Sequence, residues 1–129
     1  MRVLALDFGA ARTGVAVSDA TGTIARPLGV VERAATPDGL ARIGELVEQE
    51  EAERVVVGLP LTLRGDRGSQ AAATEEFVRA LREAIRVPVE TYDERFTTAL
   101  ASRGGGDAPE DARAAAHLLE SYLERMRLR

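Results

Sequence analysis

The 129-residue sequence has no cysteine and no lysine, and only one histidine, three phenylalanines and two tyrosines. Without cysteine there is neither a disulfide framework nor a thiolate metal site. A single imidazole, His117, all but excludes zinc sites built on several histidines, and any Ser-His-Asp triad would depend on that one residue. No apolar run reaches membrane-spanning length, and no basic segment leads into an apolar one as in a secretion signal. A cytoplasmic location without a membrane partner is expected. Basic excess is missing too: 17 basic residues face 21 acidic ones, for a net charge of −4. The usual basic footprint of a nucleic-acid binder is absent, although a local arginine patch suffices. All the basic residues are arginine, which reads as coding bias alongside the many alanines and glycines. The few aromatics form no stacking pattern that would favour RNA over DNA.

What is present suits one globular domain over residues 1–129, with 45% hydrophobic and 29% charged residues. Val3-Leu4-Ala5-Leu6-Asp7-Phe8-Gly9 reads as a buried strand with Val3, Ala5 and Asp7 on one face and Leu4, Leu6 and Phe8 on the other. Thr13–Ser18 alternates likewise after a tight turn, predicting an antiparallel hairpin. Residues 23–33 make a third strand, with Pro27 placing it at an edge. Thr36-Pro37 starts a helix whose apolar positions are Leu40, Ile43, Leu46 and Val47. Arg54–Leu59 is a β-branched strand, followed by a polar loop carrying Arg64 and Arg67. Ser69 is expected to cap a second helix with stripe Ala73, Phe77, Leu81 and Ile85. Residues 87–92 form a fifth strand, a short helix over 96–103 follows, and Gly104-Gly105-Gly106 is a flexible break. Asp107 caps a last helix reaching about Leu123 or beyond, with Glu110 three residues on. The order predicts an α/β fold: a mixed five-stranded sheet, three strands antiparallel and then two parallel, with helices on both faces.

Three acidic positions stand out. Asp7 lies in an apolar strand, where an unpaired carboxylate is costly unless a turn or a cation accommodates it. Asp93-Glu94 ends a parallel strand, where α/β sheets place ligands. Asp111 opens the last helix on the stripe Asp111, Ala115, Leu118 and Tyr122, where the helix dipole alone would favour an acid. His117 falls on that stripe's flank as a surface or half-buried residue. Each acid has an ordinary reading, but together they can converge on one edge. Close carboxylates repel unless cations sit between them. Mg²⁺ or Mn²⁺ suits such ligands, commonly as two ions roughly 3.5–4 Å apart that activate a water and stabilise a leaving oxygen.

The residues carrying these acids resemble a known family. Asp7-Phe8-Gly9-Ala10-Ala11-Arg12-Thr13-Gly14-Val15-Ala16-Val17-Ser18-Asp19 resembles the opening motif of the YqgF family of bacterial RNase H-like nucleases. Val57-Gly58-Leu59-Pro60, Asp93-Glu94-Arg95-Phe96-Thr97-Thr98 and the helix from Asp111 to Leu123 are similar to its later motifs, in the same order. The resemblance implies an RNase H-like fold and a metal-dependent endonuclease. The substrate it implies is the 5′ end of pre-16S rRNA or, alternatively, a Holliday junction. By motif match Asp7, Glu94 and Asp111 form the catalytic, metal-binding triad, with Asp93 as a neighbouring candidate ligand. Arg12 and Arg95, and Arg64 and Arg67 in the loop, are assigned to nucleic-acid contact because the arginine fork suits phosphate. For Arg12 and Arg95, a salt bridge to a neighbouring carboxylate is the alternative. One departure is a short connection before the last helix, holding the glycine triplet and only Arg103 as a base; it could order on nucleic acid. A junction resolvase would act as a homodimer. A nucleotide-binding ATPase would need a second domain that 129 residues cannot supply. A non-catalytic RNA-binding assembly factor would need none of the acids.

Overall fold

A computed structural model describes residues 1–62, 64–97 and 109–127. The strands are β1 (Val3–Asp7), β2 (Arg12–Ser18), β3 (Ala25–Glu32), β4 (Arg54–Leu59) and β5 (Val89–Asp93). The helices are α1 (Pro37–Gln49), α2 (Ser69–Ala84) and α3 (Glu110–Arg127), and a 3₁₀ turn spans Glu94–Phe96. The sheet runs β3-β2-β1-β4-β5. β1 pairs antiparallel with β2 and parallel with β4, and β5 pairs parallel with β4. β2 pairs antiparallel with β3. This is the mixed sheet that the order of elements predicts.

The period of two along β1 divides the interior. Leu4 and Leu6 join Val15, Val17, Val55 and Val57 against Ile43 of α1 and Phe77 and Leu81 of α2. Val3 and Ala5 join Ala16, Val56 and Tyr92 against Ala115, Leu119 and Leu123 of α3. Asp7 therefore lies on the α3 side of the central strand, and Phe8 stacks on Phe77 on the other, ring centroids 4.4 Å apart. Pro27 sits on the edge strand as expected. The register moves from Val15↔Gly29 to Ala16↔Pro27, which makes Leu28 the extra residue of a bulge.

Thr36 caps α1 by accepting from Gly39 N–H at 3.1 Å, with Pro37 at the first helical position. The expected Ser69 cap is corrected: Gly68 holds the cap position without a side-chain bond, and Ser69 is already helical. The loop folds back through the Leu61–Arg67 bridge, and Gly68 is still extended (φ −92°, ψ −172°), so the helix begins one residue earlier than a Ser69 cap would place it. The buried stripe of α2 is Ala71, Thr74, Phe77, Val78 and Leu81. Ala73 is exposed, because Phe77 stacking on Phe8 turns the helix toward Thr74 and Val78. The fifth strand starts later than expected, at Val89, and α3 runs to Arg127, within the expected reach. The expectations for residues 98–108, including the glycine break and the Asp107 cap, lie outside the described residues.

α3 packs closer than its predicted stripe requires. Its buried face adds Ala112, Ala116, Leu119 and Leu123 to Ala115, Leu118 and Tyr122. Alanines on the helix meet Gly14 of β2, where a Cβ would overlap the Asp111 carbonyl. Side-chain bonds tie α3 to β5 at two levels. Tyr122 donates to Glu90 and also meets Arg54 at 2.9 Å. Higher up, Tyr92 Oη and Ser121 Oγ lie 2.7 Å apart, and Ser121 Oγ also donates to the Phe96 carbonyl at 3.1 Å. That second link fixes the 3₁₀ turn over the sheet edge.

Candidate active site

The carboxyl ends of β1, β4 and β5 form one edge, where parallel strands usually present ligands. Asp7 is the last residue of β1, and Glu94 opens the 3₁₀ turn after β5. β4 lies between those strands, so Glu94 has to reach across it. Gly58 makes this possible: a Cβ there would lie 2.5 Å from Glu94 Oε1 and 2.9 Å from its Cγ. The Glu94 and Asp7 carboxyl groups consequently hydrogen-bond to each other. Asp111 approaches from α3 over Gly14, which is the register partner of Asp7.

The electrostatics follow from this crowding. Burial is the largest influence on Glu94, followed by the neighbouring Asp7 charge, and together they push its pKa up to about 7. Burial also raises Asp7, and Asp111 adds repulsion while the hydrogen bond from Glu94 opposes both. The pair thus shares a proton at neutral pH, Glu94 donating to Asp7. A partly dry carboxylate pair needs either a proton or a cation, and its all-oxygen donors suit a hard divalent ion. Among the described residues no group of three metal-ligating side chains is assembled. Asp7 and Glu94 are in contact, whereas Asp111 is engaged by Arg12, with Nε 3.0 Å from Oδ2.

This arrangement predicts a pH signature. The folded pKa of Glu94 lies above its unfolded value near 4.5, so the native state binds the proton more tightly. Its contribution to stability is full below pH 4.5 and is lost as pH rises to about 7. Glu94→Gln keeps the hydrogen bond without the charge. At pH 8 in EDTA the variant should unfold at higher urea than wild type, by about 1–2 kcal/mol after allowance for solvent screening. The difference should shrink toward pH 4.5; equal stabilities at pH 8 would contradict it.

The other expected residues divide. Asp93 is engaged by Arg95: it accepts from the Arg95 backbone N–H at 2.9 Å and from Arg95 Nη2 at 2.6 Å. Those bonds hold its carboxyl below the usual range. Asp93 thus anchors the turn that aims Glu94, and the structure does not bring it to the pair. Arg12 and Arg95 both take the salt-bridge alternative. Arg67 pairs with Glu75 at 3.4 Å, and Arg64 is exposed on the same loop. His117 is half-buried on the flank of α3, its Nδ1 4.0 Å from Glu120.

Thr97 was not predicted as a site residue. With Asp7, Glu94, Ala114 and Leu118 it lines a cleft of about 260 Å³. Its buried hydroxyl has no hydrogen-bond partner among the described residues. A Thr at the end of an acidic motif is visible in the sequence, but nothing local distinguishes a buried hydroxyl from a solvated one.

A relative from Chloroflexus aurantiacus is 42% identical over 97% of this chain and 88% of its own length, and bears the name "Putative pre-16S rRNA nuclease". A relative from Syntrophomonas wolfei with the same name is 36% identical over 96% of this chain and 94% of its own. Among solved structures, Thermus thermophilus RuvC in complex with a Holliday junction substrate superposes with TM-score 0.67, at 22% identity over 99% of this chain and 96% of that one. That likeness bears out the RNase H-like fold. The match to the RuvX model, described as Holliday junction resolvase, spans residues 1–125 and so takes in every acid at this sheet edge; the chain belongs to the RuvX family.

Proposed function

We propose that this chain is a single-domain, cytoplasmic endonuclease that hydrolyses phosphodiester bonds with Mg²⁺ or Mn²⁺. The observation that carries the reading is the Asp7–Glu94 pair, two carboxyl groups pressed together at the carboxyl ends of parallel strands with Asp111 beside them. Asp7 and Glu94 would hold the ion, and Asp111 would join them once free of Arg12. Bound there, such ions activate a water and stabilise the leaving oxygen of a phosphodiester. The chain's own residues supply placement. Gly58 clears the path for Glu94, Asp93 and Ser121 fix the turn that aims it, and the cleft walls Ala114 and Leu118 limit water. Arg12 and Arg95, each beside an acid of this edge, would serve as phosphate contacts. Arg64 and Arg67 extend that contact along the loop.

The relatives' name favours a pre-16S rRNA as substrate, with its 5′ end as the site of cleavage that the motif resemblance implies, and the family description supports a four-way DNA junction as the second reading. The deciding experiment offers both substrates to the protein with Mg²⁺, Mn²⁺ or EDTA and measures its mass in solution. Metal-dependent cleavage of the rRNA precursor in preference to the junction is the expected result. Junction cleavage by a dimer would favour the second reading, and no cleavage of either would refute the assignment.

Thr97 gives a second check. A desolvated hydroxyl without a partner costs about 1–3 kcal/mol. Thr97→Val removes that hydroxyl at nearly constant shape and should stabilise the protein by about 1 kcal/mol. Urea unfolding measures the effect. A variant no more stable than wild type would show that the hydroxyl is paired in solution.

A further inference from the structure

Arg12 lies between two features. On one side its Nε meets Asp111 Oδ2 at 3.0 Å, and on the other it borders a cleft of about 480 Å³ lined also by Arg42, Asp38 and Pro109. The Asp111 pairing is through Nε, and the Arg12 side chain remains 57% exposed against 39% for Asp111. A pair this exposed contributes little net stability, so a better anion can displace it. A phosphodiester is such an anion, because the guanidinium fork fits two of its oxygens. Asp111 is also close enough to act electrostatically on Asp7. Freed from Arg12, it would supply the third carboxylate that the site lacks in its present arrangement.

We propose that Arg12 is an exchange residue: it holds Asp111 in the free protein, and a phosphodiester draws it away, releasing Asp111 to the metal site. Arg12 is then a positioning residue that couples substrate to metal. This rests on the metal-site reading above. The coupling is reciprocal, so nucleic acid strengthens metal binding by the factor by which metal strengthens nucleic-acid binding.

The test measures Mn²⁺ binding by titration calorimetry and by the electron paramagnetic resonance of free Mn²⁺. It uses wild type, Arg12→Gln, Asp111→Asn and the double variant. Each is titrated alone and with a saturating RNA oligonucleotide that a gel shows to remain intact. In wild type the oligonucleotide should tighten Mn²⁺ binding about tenfold. A methylphosphonate oligonucleotide, which lacks backbone charge, should not. Arg12→Gln alone should bind Mn²⁺ about tenfold tighter than wild type and gain little more from the oligonucleotide. On the Asp111→Asn background that gain should vanish. Persistence of the gain there would mean that Arg12 acts on the ion only through its charge, and the exchange would be refuted. Unchanged or weaker Mn²⁺ binding by Arg12→Gln would refute it too. Asp7→Asn separates the two levels: wild-type Mn²⁺ affinity in that variant overturns the metal site itself, whereas the Arg12 results bear on the exchange alone.

Discussion

Asp7→Asn is expected to lower metal-dependent cleavage by about 10³-fold while leaving the fold intact. The size follows from losing several kcal/mol of transition-state charge stabilisation. Asp7 ends the central strand, its neighbours Ala5 and Leu6 are fully buried, and it is the residue on which Glu94 and Asp111 both act. Asparagine has nearly the same shape, accepts the hydrogen bond from Glu94 and removes one of the two crowded charges. Circular dichroism should therefore be unchanged and stability at pH 8 equal or higher. The combination matters, because a variant that is both slow and unstable would say only that the strand was damaged. Cleavage within a few-fold of wild type would show that the reaction does not run through this edge.

Gly14→Ala should be the most disruptive small substitution described here, costing about 3 kcal/mol or more. The added Cβ would overlap the Asp111 carbonyl and come within 3.0 Å of the Ala112 nitrogen. Both contacts are helix backbone, which cannot rotate aside as a side chain would. α3 would have to lift from β2 at the end that carries Asp111, so the variant should also lose activity beyond its loss of stability. Gly29→Ala is the control. It lies on the edge strand with nothing within 4 Å of its Cβ position, and should fall within about 0.5 kcal/mol of wild type. Urea unfolding of the two variants beside wild type measures the contrast, and similar midpoints for both would overturn the close-approach account.

Together the two substitutions describe a site made from crowding. Gly14 and Gly58 admit a helix backbone and a glutamate side chain to places where any other residue would block them. The result is a carboxyl pair that disfavours full ionisation. Such a pair weakens the protein at neutral pH and would be relieved by a cation, which is why Glu94→Gln is expected to stabilise and Asp7→Asn to leave stability equal or higher while slowing cleavage.

The sequence by itself determined the elements, their order and the acids. Alternation along Val3–Phe8 assigned the two faces of β1, Pro27 marked the edge strand, and Thr36-Pro37 marked the start of α1. These signals are local: pleat, ring geometry and cap chemistry act within a few residues. The motif resemblance added the family and proposed Asp7, Glu94 and Asp111 as a triad, with Asp93 as a neighbouring candidate. Tertiary packing was needed to show that Glu94 is the one that reaches Asp7, because adjacent residues differ by the direction of one turn, and that turn is held by Ser121 from α3. It alone decided that Arg12 grips Asp111, that the Thr97 hydroxyl is buried without a partner among the described residues, and that α2 turns Thr74 rather than Ala73 inward. Each depends on contacts between residues far apart in the chain, where the packing of one helix sets the direction of a side chain on another element. Periodicity carries no information about that direction.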